Sequence, residues 1–219
     1  MLNETTTRQP GATNTGIFQI LSGEDGVWQE SPLVAMASAI ASRQAGPAAS
    51  FEMRERPFVD LVSIRGVVSD TLFTAAVSQV VGCEVPAVPN TVAHGEAHDM
   101  LWLGPDEWMV VGKTAGTGAL GRGLATALSG QFASAVDVSS GYTIVSVSGR
   151  AVRDVLSRGC PLDVDANIFG IGTCAQTHYF KASIILIRTG EDVFDIIVRR
   201  SFADYFCRIL LDAAESVAS

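Results

Sequence analysis

Apolar and polar positions alternate along this chain in two registers, and the order of the registers repeats. Val59-Asp60-Leu61-Val62-Ser63-Ile64-Arg65-Gly66 is a β-rich run that ends in glycine and leads into Val67–Val81. Tyr142-Thr143-Ile144-Val145-Ser146-Val147-Ser148-Gly149 is a second such run and leads into Arg150–Arg158. Val59, Leu61 and Ser63 alternate with Asp60, Val62 and Ile64, a pattern that predicts cover on both faces of the strand. Leu72, Phe73, Ala76, Val77 and Val80 recur at helical spacing over Ser69–Val81, with Ser69 as the expected N-cap. Each copy continues with further β-rich runs and another helix. The predicted order is strand–helix–strand–strand–helix, twice over.

Other elements follow from local signals. Ser31-Pro32 opens a helix over Leu33–Gln44 that is dense in alanine, and Gly46-Pro47 ends it. Met100–Leu103 and Trp108–Val111 flank Gly104-Pro105-Asp106-Glu107, which predicts a hairpin. Ala119–Leu128 is the next helix, followed by the strands Ala135–Val138 and Thr143–Val147 that open the second copy. Gly159-Cys160-Pro161 breaks the short helix built on Val152, Val155 and Leu156. Thr173–Phe180, Ser183–Arg188 and Val193–Val198 are strands, and Ser201 caps an amphipathic helix through Ala213. Hairpins mixed with helices predict an α+β fold with antiparallel sheets in duplicated halves. The expected division is a flexible N-terminal arm over 1–30, a first half over 31–134 and a second over 135–219, joined in one compact domain, with a binding site at the seam of the twins.

Composition narrows the function classes. The 219 residues are 47% hydrophobic and 17% charged, with a formal net charge of −8. That acidity argues against nucleic acid and against an anionic membrane surface. No apolar run reaches the length of a membrane span, and Met1–Gly16 is too polar for a secretory signal. Cys83, Cys160, Cys174 and Cys207 form no CxxC pair and read as free thiols of a cytoplasmic protein.

Several residues are candidates for chemistry. Gly116-Thr117-Gly118-Ala119-Leu120-Gly121 fits G-x-G-x-x-G, with Asp137 near the distance of a ribose-binding carboxylate. Against a dinucleotide site, Lys113-Thr114-Ala115 separates strand from glycines and no βαβ run follows. His94-Gly95-Glu96-Ala97-His98 has the residue types of a zinc site but not the HExxH order, and reads as a solvated loop. No G-x-S-x-G elbow is present, so Ser139-Ser140 and Ser146–Ser148 are assigned to turns and strand ends. Asp137 caps a turn or faces an amine; Lys181, Arg188, Arg199 and Arg200 are scattered on the last strands, and Arg199-Arg200 either pairs with a partner's carboxylates or is a solvated strand end, the latter being the default. No residue is assigned a catalytic, cofactor-binding or metal-binding role.

Five motifs in order carry a family resemblance. They are Leu103-Gly104-Pro105-Asp106-Glu107-Trp108, Asp137-Val138-Ser139-Ser140-Gly141, Gly159-Cys160-Pro161-Leu162-Asp163, Gln176-Thr177 with Lys181, and Arg199-Arg200-Ser201-Phe202-Ala203-Asp204-Tyr205. From about Ser31 to the C-terminal helix the chain resembles the gamma subunit of heterotetrameric sarcosine oxidase. That family is similar in turn to the folate-binding aminomethyltransferase, the glycine-cleavage T-protein. The resemblance implies a complex that oxidises N-methylglycine to glycine, with hydrogen peroxide and formaldehyde or methylene-tetrahydrofolate as further products. It implies alpha, beta and delta subunits as partners, with FAD, FMN, NAD and tetrahydrofolate on those partners and none on this chain. Trp102, Trp108, Tyr205 and Phe206 are then interface anchors if exposed, with core packing as the default for each. The alternative is a stand-alone folate-binding carrier or transferase in which Asp137 or Asp163 pairs with a pteridine ring.

Overall fold

The computed structural model describes residues 18–20, 28–42 and 50–218. Two five-stranded antiparallel sheets stack face to face, and helices cover the outer face of each. The strands and helices, in chain order, are β1 (Phe18–Ile20), β2 (Trp28–Glu30), α1 (Ala37–Ser42), β3 (Glu52–Arg56), β4 (Val59–Arg65), α2 (Thr71–Val81), β5 (Val92–His94), β6 (His98–Gly104), β7 (Glu107–Ala115) and α3 (Ala119–Ala127). They continue with β8 (Ser134–Asp137), β9 (Tyr142–Ser148), α4 (Val152–Ser157), β10 (Cys174–Tyr179), β11 (Ala182–Gly190), β12 (Val193–Arg199) and α5 (Ala203–Ala218).

The sheet orders are β5-β6-β7-β4-β8 and β10-β11-β12-β9-β3. These orders are related position by position, so the duplication read from the pattern is present in the topology. One feature differs from the expected halves. Ala135–Val138, placed at the start of the second copy, supplies β8, which pairs with β4 in the first sheet. Conversely β3, which precedes β4 in the chain, pairs with β9 in the second sheet. Each sheet therefore takes its outermost strand from the chain segment that leads into the other, and the two sheets are laced together.

Three apolar clusters follow from the strand alternation. Val62, Ile64, Met100, Trp108 and Val110 meet Phe73, Val77, Leu120 and Leu124 from α2 and α3. Val145, Val147, Phe194 and Ile196 meet Val155, Phe206 and Leu210 from α4 and α5, with Leu33, Met36 and Ile40 beside them. Between the sheets, Leu61, Leu101, Met109 and Val111 meet Ile144, Ile185, Ile187 and Ile197. β11 is buried on both faces, which is why Ile184-Ile185-Leu186-Ile187 shows no alternation.

Local signals place several boundaries. Asp70, not Ser69, caps α2: its carboxylate accepts from the backbone N–H of Leu72 and Phe73, and Gly82 at φ 82° closes the helix. Ser201 lies inside a 3-10 turn over Arg200–Phe202 that runs directly into α5, so it does not stand at the expected N-cap position. The Leu33–Gln44 helix is a 3-10 turn, Val34–Met36, followed by α1. Gly46-Pro47 lies outside the described residues, as does most of the expected arm, within which β1 and β2 pair antiparallel.

Candidate functional site

Strand β7 runs through Ala115, so Gly116 follows it directly and the expected Lys113–Ala115 spacer is part of the strand. Both β7 and β8 are antiparallel to β4, which makes them parallel to one another across it. Helix α3 joins them. The glycine loop thus sits in a split β–α–β unit, a context that the linear pattern hides. Its glycines nevertheless serve a different purpose from phosphate binding. The backbone N–H of Gly118 donates to Asp60 Oδ1 at 3.1 Å. A Cβ on Gly116 would lie 1.9 Å from the same oxygen. A side-chain carboxylate from β4 occupies the helix N-terminus where a pyrophosphate would lie, so a dinucleotide does not fit this loop.

A cavity of about 620 Å³ opens beside this loop, at the rim of the seam. Its walls include Phe58, Asp60, Gly118, Arg122, Asp137 and Arg200. Strand β4 brings Asp60, β8 brings Asp137 and α3 brings Arg122, while Arg200 reaches in from the end of β12. Asp137 Oδ1 accepts from the Ser139 N–H at 2.9 Å and from Ser139 Oγ at 2.6 Å, so the turn-capping reading holds for this oxygen. Ser139 Oγ also accepts from the Leu61 N–H at 2.9 Å and pins the turn to β4. Arg122 donates from Nη2 to the Thr117 carbonyl at 3.3 Å, and Arg200 from Nη2 to the Glu30 carbonyl at 2.8 Å. Arg199 lies over the Tyr142 ring, 5.5 Å from its centre. Both arginines of the expected solvated strand end therefore have protein partners.

The other sequence candidates do not converge here. His94 Nδ1 faces Asp99 Oδ1 at 3.0 Å, and Asp99 also receives Lys113 Nζ at 3.2 Å. His98 Nδ1 faces the Val81 carbonyl at 3.3 Å. The two histidines close the β5–β6 hairpin instead of lying in a loop, and among the described residues no set of three His, Cys, Asp or Glu side chains could hold a metal. Asp163 accepts from the Asp165 N–H at 2.9 Å in a local turn and does not line this cavity. Lys181 is exposed at the β10–β11 turn. Cys160, Cys174 and Cys207 are buried and Cys83 half-buried, all four as free thiols. Burial pushes the Cys174 thiol up to about 12 and raises Cys207 as well, so neither is a thiolate at neutral pH.

Two polar constellations form only in the fold, the second of them around Arg188, which the sequence shows as one of several scattered charges. Arg56, on β3, pairs with Asp195 on β12, whose other oxygen accepts from Ser146 on β9. Arg56 Nη2 then crosses to the Gly112 carbonyl of the opposing sheet at 3.2 Å. This clasp closes one rim of the seam, and only the cross-sheet register brings its members together. Arg188 is buried at 5% exposure and donates to four backbone carbonyls, with no carboxylate partner among the described residues.

The expected aromatic anchors are mostly interior. Trp108 and Phe206 are fully buried, while Trp102 and Tyr205 are half-buried against core residues. The large apolar side chains that do face solvent include Leu72 at 72% and Phe132 at 97% exposure, with Val67, Val68 and Val136 also on the surface. The first sheet holds Ser134 opposite Arg65, so Phe132 lies just beyond the paired strands, on the side where Val67 follows Arg65.

Comparison with known proteins agrees with this architecture. Residues 65–216 match the family described as sarcosine oxidase, gamma subunit family. A curated relative, sarcosine oxidase subunit gamma of Corynebacterium sp. strain P-1, is 33% identical over 193 residues, covering 87% of this chain and 92% of the relative. A chain of heterotetrameric sarcosine oxidase from Corynebacterium sp. U-96, solved with pyrrole 2-carboxylate, superposes with a TM-score of 0.79 at 29% identity. That superposition covers 87% of this chain and 97% of the other. Glycine cleavage system aminomethyltransferase T from Bartonella henselae has a TM-score of 0.56 at 14% identity, over 89% of this chain and 53% of that one. The last likeness shows the shared fold.

Proposed function

This chain belongs to the sarcosine oxidase gamma subunit family, and from that membership we propose that it is a structural subunit of a heterotetrameric sarcosine oxidase, packing against alpha, beta and delta chains. The single observation that carries the reading is the match along nearly the whole length of a known gamma chain, in sequence and in fold together. The exposed Phe132 supports it, because a fully solvated phenylalanine forgoes the burial that stabilises such side chains elsewhere. In this proposal the chain buries apolar surface in a permanent interface. FAD, FMN, NAD and tetrahydrofolate reside on the partners, where sarcosine is oxidatively demethylated, and the complex is cytoplasmic. Among the described residues no helix is long and apolar enough to cross a membrane.

The test is affinity purification of the tagged chain from its native cell. Recovery of larger yellow, flavin-containing polypeptides in fixed ratio is the expected result. In the same experiment Phe132→Asp reduces recovery at least tenfold while the far-ultraviolet spectrum of the chain is unchanged. A tagged chain that returns alone refutes the proposal.

A further inference from the structure

The cavity at the rim of the seam contains opposite charges that do not neutralise one another. Asp137 uses Oδ1 for the Ser139 turn, and Arg122 uses Nη2 for the Thr117 carbonyl. Asp137 Oδ2 and Arg122 Nη1 make no hydrogen bond or ion pair among the described residues. Both border the space that Gly118 leaves empty. A Cβ built on Gly118 would lie 3.1 Å from Arg122 Nη1 and 3.8 Å from Asp137 Oδ2. One free guanidinium nitrogen and one free carboxylate oxygen thus flank a single vacant point in a cavity of about 620 Å³. Each is held on its other side by the backbone, so the pair is positioned before any ligand arrives. Such preorganisation lowers the cost of binding.

We infer that this cavity is a binding site for a free α-amino acid. Its carboxylate lies against Arg122 and its ammonium against Asp137. The chemistry selects that class. A lone anion meets Asp60 and Asp137 beside Arg122, and a lone cation meets Arg122 and Arg200 beside the carboxylates. A zwitterion satisfies both, and an α-amino acid carries its two charges one carbon apart, the shortest organic bridge between them. Charge-assisted bonds of this kind are the stronger class of hydrogen bond. The wall beyond, with Phe58, Ser140 and Tyr142, leaves room for a side chain. Gly118 holds φ at 71°, so glycine both permits the turn and leaves the space open.

The experiment is isothermal titration of the full-length chain with glycine, L-alanine and L-serine as probes, and with ethylamine and propionate as single-charge controls. Saturable binding of at least one amino acid, tenfold or more tighter than either control, is expected. Arg122→Gln, an exposed change on α3 that leaves the core intact, weakens it at least tenfold, and Arg122→Lys retains part of it. Should the isolated chain prove insoluble, the wild-type and Arg122→Gln complexes are compared, so that any amino-acid site on a partner is common to both. Absence of amino-acid binding, equal binding of the controls, or indifference to Arg122→Gln overturns the inference. Each of these outcomes leaves the subunit assignment unaffected, because assembly is read separately by co-purification.

Discussion

Arg188 offers a sharp test of how this fold handles a buried charge. Its Nε donates to the Gly190 carbonyl at 3.0 Å and its Nη2 to Glu191 at 3.0 Å, both in the β11–β12 turn. Its Nη1 donates to Ala166 at 3.1 Å and Phe169 at 2.8 Å, in the loop that crosses from α4 to β10. One planar fork therefore ties a turn to a loop. In Arg188→Lys a single ammonium replaces the fork, so the charge remains buried but cannot reach both segments at once. Losing about two charge-assisted bonds at roughly 1.5–3 kcal/mol each, offset by the water that reaches the exposed turn, gives a destabilisation of about 2–4 kcal/mol. Arg188→Met removes the charge with its bonds. Of the four acceptors only the carbonyl of buried Phe169 is then stranded, a cost of about 1–3 kcal/mol. Lysine is thus expected to be at least as damaging as methionine, the reverse of a ranking by charge conservation. Urea unfolding followed by far-ultraviolet circular dichroism measures both, and a loss of ~3 kcal/mol corresponds to a melting shift of roughly 6–12 °C in a chain of this size. Limited proteolysis should show earlier cleavage between Gly159 and Gly172 in both variants. Stability of Arg188→Lys within ~0.5 kcal/mol of the parent, the range of an ordinary surface change, would refute the argument.

Two further outcomes follow from the core. Trp108→Phe removes the bond from Trp108 Nε1 to the Pro86 carbonyl, 2.8 Å long, and leaves a void beside Phe73; it should cost about 2–3 kcal/mol in urea unfolding with an unchanged denaturant slope. At alkaline pH, burial holds the Cys174 thiol up at about 12, and Cys207 and Tyr179 are raised too, while the unfolded chain ionises these groups near their ordinary values. The folded state then binds more protons than the unfolded one, so stability falls as pH rises above about 9, by at most ~1.4 kcal/mol per pH unit for each group. Cys174→Val should flatten that fall between pH 9 and 11 in unfolding titrations, and a parent protein of constant stability over that range contradicts the burial argument.

The amino-acid sequence by itself determined the elements and their repetition. Alternation in Val59–Arg65 and Tyr142–Ser148, helical spacing in Leu72–Val80 and Phe202–Ala213, and the Gly104–Glu107 turn each reflect interactions within a few residues, where one-dimensional spacing and three-dimensional neighbourhood coincide. Family membership was legible for the same reason, since ordered short motifs survive as text. Tertiary structure alone decided which strands share a sheet, because the pairings of β3 with β9 and of β8 with β4 span long stretches of chain and leave no local mark. It decided that Asp60 fills the glycine loop, that Arg188 is buried on backbone carbonyls, and that Arg122 and Asp137 face one cavity. In each case the partner is a backbone atom or a distant side chain, and the energy depends on a separation through space that no spacing along the chain encodes.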